Sequence, residues 1–116
     1  MTEQEFKDLC AGKMIMCMPT GSRVICDPPV MDTDIDYVIC GPVDLEKHGF
    51  RYTNDNDEYE DTDFETYRNG DLNVIKVDNG SSFAAWEWAT RAAKSMNLTD
   101  KGDRISFFQG CLYGNW

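Results

Sequence analysis

The residues of this chain best suited to chemistry are two carboxylates at the start of an apolar segment. Asp34 and Asp36 are two positions apart, and the segment continues to Cys40. Because side chains two apart on a strand share a face, a strand here projects both carboxylates together. Such a pair can hold hard divalent cations through oxygen ligands. It can therefore support two-metal, in-line phosphoryl transfer, in which one ion activates the attacking oxygen and the other holds a triphosphate.

A glycine–serine pair precedes the carboxylates and suits the binding of a phosphate. Gly21 and Ser22 are separated from Asp34 by eleven residues, 23 to 33. Glycine lets the backbone approach a phosphate closely, and a short helix after Ser22 would aim its N–H groups at the same anion. The Ser22 hydroxyl can donate a hydrogen bond as well. Arg23 is a further candidate for binding the triphosphate.

Three apolar segments are predicted to form the strands that position these residues. They cover residues 14–18, 35–40 and 72–77. The first is too short for a core helix, and it ends at a turn that begins with Pro19. One short helical turn is expected over residues 23–26 before the chain is broken by two consecutive prolines.

The remaining segments complete the fold prediction. Helices are expected from Thr2 or Glu3 through Leu9, over 42–48 between Pro42 and Gly49, from Ser81 or Ser82 to Met96, and from Thr99 or Asp100 to about Tyr113. Residues 50–53 and 64–68 are expected to pair as a hairpin. In the long helix, Trp86 and Trp88 should face opposite sides, about 200° apart. The sequence thus predicts one α+β domain over residues 1–116, with a small mixed β-sheet and helices packed on one side.

The net charge of −10 is concentrated in one part of the chain. Seven of the 21 acidic residues lie between 55 and 65, a stretch without Lys or Arg, so the rest carries only −3. A solvated acidic loop is expected at 54–63. The charge argues against binding a long nucleic-acid duplex, but not against a nucleotide whose phosphates carry Mg²⁺. No segment approaches the apolar length that a membrane span needs, so no membrane partner is expected.

The cysteines indicate a reducing compartment. The chain has five of them, without a CxxC pair, and one histidine, so a structural zinc site is not expected. Reduced, mostly buried thiols are typical of a cytosolic protein, and the N-terminal segment does not have the composition of a signal peptide. We therefore expect a cytoplasmic location.

The stretch from Gly21-Ser22 to Asp34-x-Asp36 resembles the signature of the nucleotidyltransferase superfamily. That superfamily includes DNA polymerase beta, aminoglycoside nucleotidyltransferases and minimal nucleotidyltransferases. From about Met14 onward, the chain is also similar to small uncharacterised nucleotidyltransferase-like proteins of bacteriophages. The resemblance implies a nucleotidyltransferase-like fold and transfer of a nucleoside monophosphate from an NTP, with ATP expected, to a hydroxyl. It also implies Mg²⁺ or Mn²⁺ at Asp34 and Asp36, and host cytoplasm if the protein is phage-encoded.

One position departs from the superfamily pattern. The superfamily usually has a third carboxylate on a later strand, where it acts as the base for the acceptor hydroxyl. The matching position here holds Asn73, which can coordinate a metal weakly but cannot take a proton at neutral pH. Asp71 lies on the same face if the strand begins there, and it could then substitute.

Two hypotheses follow from the sequence. The first is a minimal Mg²⁺-dependent nucleotidyltransferase, in which Gly21, Ser22 and Arg23 bind the nucleotide, while Asp34 and Asp36 hold metal and Asp71 or Asn73 completes the catalytic set. Its hydroxyl acceptor is unknown, and a protein partner or a second copy of the chain would bind it. The second is a catalytically inactive interaction protein of the same fold, whose acidic loop binds a basic host or phage partner.

Overall fold

The sequence folds into alternating short elements, and a computed structural model describes them over residues 1–29, 34–53 and 64–113. In these ranges, the strands are β1 Met16–Thr20, β2 Ile35–Cys40, β3 Arg51–Tyr52, β4 Phe64–Asn69 and β5 Leu72–Val77. The α-helices are α1 Glu3–Lys13, α2 Ser22–Ile25, α3 Gly80–Ser95 and α4 Lys101–Tyr113, and a 3₁₀ turn covers Leu45–His48. The predicted acidic loop at 54–63 lies outside the described residues.

The strands form one mixed sheet in the order β1-β2-β5-β4-β3. The central pair, β2 and β5, is parallel, whereas the other three pairs are antiparallel. This arrangement confirms the α+β class and the small mixed sheet. It also confirms the hairpin between residues 50–53 and 64–68, because β3 pairs with β4.

Both faces of the sheet carry apolar side chains, and each face is covered. On β2, Tyr37 and Ile39 pack with Phe6 and Cys10 of α1. Phe6 contacts Tyr37 edge to face, with ring centroids 5.3 Å apart. The prediction that helices pack on one side is therefore wrong. A central strand that is apolar on both faces needs cover on both, and α1 supplies it on the second face.

The longer helices lie on the other face of the sheet. Val38 of β2 and Ile75 of β5 belong there to an apolar cluster with Trp86 of α3 and Phe108 of α4. Trp88 is 60% exposed, which confirms that the two tryptophans of α3 face opposite sides. The described residues include no helix that is both long and apolar enough to cross a membrane.

The first helix and strand differ in their bounds from the prediction. α1 continues to Lys13 and ends at Met14, which adopts the left-handed conformation with φ 56°. β1 is consequently shifted two residues along the chain, to Met16–Thr20. It includes Pro19, which has no backbone N–H. This is tolerated because β1 is an edge strand and pairs with a neighbour on one side only.

The predicted two-turn helix over 42–48 is wrong. Asp44 has extended backbone angles, and only one 3₁₀ turn follows it before Gly49 closes the segment in the left-handed region. Val43 is buried, and its carbonyl accepts a hydrogen bond of 3.0 Å from Lys76 Nζ. This tether keeps the chain extended where a first helical turn was expected.

A side chain caps each of α3 and α4, and each capping residue lies at the predicted position or two residues before it. The Asn79 side chain, rather than Ser81 or Ser82, caps α3 by accepting a hydrogen bond from the Ser82 amide. At the start of α4, Asp100 Oδ2 accepts a hydrogen bond of 2.9 Å from the Asp103 amide, one of the two predicted caps. These caps fix where the two helices begin beside the sheet.

Candidate functional site

A row of four polar side chains crosses the sheet on the face covered by α3 and α4. The strand registers pair Thr20 with Asp36, Asp36 with Asn73, and Asn73 with Arg68. The row therefore runs from β1 through β2 and β5 to β4, and all four residues line one cavity. We call Thr20, Asp36, Asn73 and Arg68 the polar row.

Gly21 lies against the centre of the polar row. It connects β1 to α2 with φ 82° and ψ −172°, a backbone region that is essentially limited to glycine. A Cβ atom added to Gly21 would lie only 2.9 Å from Cγ of Asp36. The glycine therefore allows the backbone turn and Asp36 to occupy adjoining space.

Asp36 is the most enclosed acidic group of the site. Asn73 Nδ2 donates a hydrogen bond of 3.0 Å to its Oδ1. Burial raises the pKa of Asp36 from an ordinary value of 3.8 to about 6, and the nearby Asp34 charge adds to the rise. The Asn73 hydrogen bond and the charges of Arg68 and Arg23 oppose it. Ionisation of Asp36 in the folded protein therefore costs free energy, and a bound cation would offset this cost.

Asn73 contributes a second oxygen at the same place. Its Oδ1 is buried and has no hydrogen-bond partner among the described residues. A buried carbonyl oxygen without a partner loses free energy relative to one in water. Together with the Asp36 carboxylate it is an oxygen donor set of the kind that Mg²⁺ and Mn²⁺ accept, so the residues present fit a divalent cation.

Asp34 is held by an arginine. Arg68 Nη1 donates to Asp34 Oδ1 at 2.9 Å, and Nη2 donates to Oδ2 at 2.8 Å. These hydrogen bonds have the largest effect and lower the pKa of Asp34. Burial opposes them, and the charges of Arg68 and Arg23 add to the lowering. The two carboxylates of the sequence pattern therefore line one cavity in different states, because Asp36 is partly buried and Asp34 is exposed and paired with Arg68.

The cavity has a volume of about 510 Å³ and combines a polar end with an apolar end. Its apolar lining comes from α2, the sheet, α3 and α4: Ile25, Phe64, Ile75, Trp86, Ile105 and Phe108. The cationic side chains that line it are those of Arg68, Lys101 and Arg104. A volume of this size is within the usual range for small-molecule sites.

Arg104 is fixed at the edge of the cavity. Its Nη1 donates to the carbonyl oxygens of Thr99 and Leu98 at 2.7 and 3.1 Å, and it lies 3.3 Å from Cys26 Sγ. These contacts connect the start of α4 to the end of α2. The arginine therefore places a positive charge in the lining of the cavity without depending on a ligand for its position.

The structure brings most of the predicted site residues together. Gly21, Ser22, Asp34, Asp36 and Asn73 all line the cavity.

Two predicted residues lie apart from the cavity lining. Asp71 is exposed in the turn before β5, which begins at Leu72 rather than at Asp71. Its side chain is not among those that line the cavity. Arg23 is not among the lining residues, although its charge contributes to the lowered pKa of Asp34 and opposes the raised pKa of Asp36.

Two cavity residues, Arg68 and Thr20, are not assigned to the site by the sequence pattern. Gly70 interrupts the strand pattern, so the sequence alone does not give the direction of the Arg68 side chain, whereas the register opposite Asn73 places it on the cavity face. Thr20 was read only as a turn residue. Its hydroxyl forms a buried hydrogen bond of 2.7 Å with Thr90. Aligning β1 with β2 as an antiparallel pair would have placed Thr20 beside Asp36.

In residues 1–29, 34–53 and 64–113, no three His, Cys, Asp or Glu side chains come together as a metal-ligand group. The candidate donors at this site are two carboxylates and one amide. No protein-family model, curated protein or solved structure matched the chain.

Proposed function

We propose that this protein is a Mg²⁺-dependent nucleotidyltransferase that binds an NTP in the cavity and transfers its nucleoside monophosphate to a hydroxyl. The observation that carries the proposal is the contact between Gly21 and Asp36. A turn that only glycine can form lies directly against a partly buried carboxylate, at the polar end of a cavity of about 510 Å³. This arrangement suits a phosphate chain that approaches the backbone, and the carboxylate could hold a divalent cation that would neutralise the phosphate charge.

In the proposed complex, the residues of the site divide the binding of the nucleotide. The Gly21 backbone and the Ser22 hydroxyl face the triphosphate, and Asp36 with Asn73 Oδ1 holds the metal. A bound Mg²⁺ would supply charge neutralisation and Lewis acidity at the phosphates. The cationic groups of Lys101 and Arg104 favour the same anion, and the apolar lining around Trp86 suits a nucleobase.

The binding half of this proposal is tested by calorimetry. Wild-type protein is titrated with ATP, GTP, CTP and UTP, with Mg²⁺ and with EDTA, beside the variants Asp36→Asn and Asp78→Asn. Asp78 is exposed and outside the cavity lining, so its variant controls for the change in charge. Mg²⁺-dependent binding that Asp36→Asn abolishes and Asp78→Asn retains supports the proposal, whereas no binding of any NTP at millimolar concentration refutes it.

The transfer half needs a separate assay. Protein, NTP labelled at the α-phosphate and Mg²⁺ or Mn²⁺ are incubated with a lysate of the host, and label is traced to protein, RNA or small molecules. Asp36→Asn should abolish the labelling. Labelling that survives this substitution would show that another component performs the transfer.

A specific observation favours a second candidate, a domain of this kind that does not transfer. Asn73 stands where a base would be needed, and Asp71 is exposed in a turn away from the cavity. In that case the acidic segment, residues 55–65, would bind a basic protein partner. Neutralising its acidic residues to Asn and Gln would then abolish partner binding, while Asp34→Ala would leave it intact.

A further inference from the structure

We propose that Arg68 couples metal binding to nucleotide binding by exchanging Asp34 for a phosphate. Before ligands arrive, its guanidinium holds Asp34. When a nucleotide engages the guanidinium, Asp34 is released to join Asp36 as a metal ligand. The inference rests on the proposed function, because it assigns a positioning role to a residue of the same site.

The first support is the completeness of the ion pair. Each carboxylate oxygen of Asp34 accepts a hydrogen bond from a different Arg68 nitrogen, at 2.9 and 2.8 Å. A cation that approaches Asp34 therefore meets a carboxylate whose two oxygens are already engaged, and it is repelled by the guanidinium charge. In this arrangement Asp34 is a poor metal ligand.

The second support is that the pair can separate at modest cost. The side chains of Arg68 and Asp34 are 27% and 47% exposed, so water can solvate both groups when they part. A more deeply buried pair would leave an uncompensated charge on separation. The partial exposure fits an exchangeable contact better than a permanent one.

The third support is the hydrogen-bonding geometry of the Arg68 guanidinium. The two parallel N–H groups of a guanidinium fit a phosphate in the same bidentate way as a carboxylate. Arg68 lies in register with Asn73 on the cavity face, beside the oxygens proposed to hold the metal. A triphosphate bound there offers Arg68 the partner that replaces Asp34.

The exchange predicts a reciprocal coupling. A nucleotide that occupies Arg68 raises the affinity for the metal, and by linkage the metal raises the affinity for the nucleotide equally. Removing the guanidinium should therefore act in opposite directions on the two ligands. A purely structural arginine would weaken both or neither.

The test measures each ligand alone. Free Mn²⁺ is titrated by electron paramagnetic resonance, and ATP in EDTA is titrated by calorimetry, for wild type, Arg68→Gln, Arg68→Lys and Arg91→Gln. Arg91 of α3 is a matched control, since it also forms an ion pair, 3.5 Å from Glu87, outside the cavity. Thermal melts verify that each variant is folded.

In Arg68→Gln we expect Mn²⁺ to bind about two- to fivefold more tightly, which matches the usual strength of a partly exposed ion pair. ATP should bind at least about tenfold more weakly, because charge-assisted hydrogen bonds are lost. Arg68→Lys keeps the positive charge but lacks the two parallel N–H donors, so it should retain part of the ATP affinity that Arg68→Gln loses. Arg91→Gln should change neither ligand.

The outcomes separate this inference from the proposed function. If wild type binds MgATP but Mn²⁺ affinity in folded Arg68→Gln is unchanged or weaker, the exchange is refuted and the proposed function stands. If wild type binds no nucleotide, the proposed function fails whatever Arg68→Gln does to Mn²⁺. Tighter Mn²⁺ with weaker ATP supports the exchange.

Discussion

Replacing Asp36 with asparagine should make the protein more stable at neutral pH while it abolishes metal-dependent binding. The carboxyl is partly buried, and the loss of solvation raises its pKa from 3.8 to about 6. A difference of about 2 units, at about 1.4 kcal/mol per unit, corresponds to about 3 kcal/mol of destabilisation when the group is ionised. An amide at this position removes the charge and keeps an acceptor for Asn73 Nδ2.

The sign of the effect follows from proton binding. With a raised pKa in the folded protein, the folded state holds the Asp36 proton more tightly than the unfolded chain does. Wild-type stability contributed by this group is therefore present below about pH 4 and is lost as the pH rises through about 6. The advantage of Asp36→Asn should be near zero at pH 4, grow between pH 4 and 6, and level off above pH 7.

Urea denaturation in EDTA at several pH values measures this difference. A gain of about 1–3 kcal/mol at pH 7.5 corresponds to a rise in Tm of about 4–12 °C for a domain of this size. Asp78→Asn, at an exposed position, should show no such pH profile. A free-energy difference that stays flat between pH 4 and 7, or an asparagine variant less stable than wild type at pH 7.5, would refute the account of Asp36.

Three further predictions concern the surroundings of the site. Gly21→Ala should lower stability by about 2 kcal/mol or more and eliminate nucleotide binding, because φ is 82° and a Cβ would meet Asp36; denaturation and calorimetry would show it, and a wild-type melting curve would contradict it. Asn73→Asp should destabilise the metal-free protein at pH 7.5 yet tighten Mn²⁺ binding about tenfold, because a second carboxylate adds ligand charge; weaker Mn²⁺ binding would contradict it. Thr90→Val should cost about 1–3 kcal/mol in urea denaturation, because the buried Thr20 hydroxyl loses the partner that lies 2.7 Å away; unchanged stability would show that this hydrogen bond contributes nothing.

The strand pattern of the sequence predicted most of what surrounds Asp36. Strand β2 has the predicted bounds, Ile35–Cys40, and β5 has those predicted for residues 72–77. Both strands are short apolar runs, in which period-two alternation leaves little freedom for the faces. The position of Asp36 opposite the apolar residues that face α1 followed from that alternation.

The parts that the sequence did not predict depend on long-range pairing. Arg68 could not be placed until the two-residue turn at Gly70 and Asp71 set its register with Asn73. In the sequence alone, Lys101 and Arg104 are typical of the solvated face of a helix, and only the packing of α4 brings them to the cavity. Such contacts join residues far apart in the chain and leave no local pattern.

The same pairing determines when the site can form during folding. The hydrogen-bonded residues Asp36 and Asn73 are 37 positions apart, on strands whose parallel pairing needs a long connection. The hairpin of β4 and β5 closes over two residues and can form early, whereas the docking of β2 must close a much longer loop. Nucleotide binding would therefore report the late docking of the central strand, and a folding intermediate with only the hairpin would have no site.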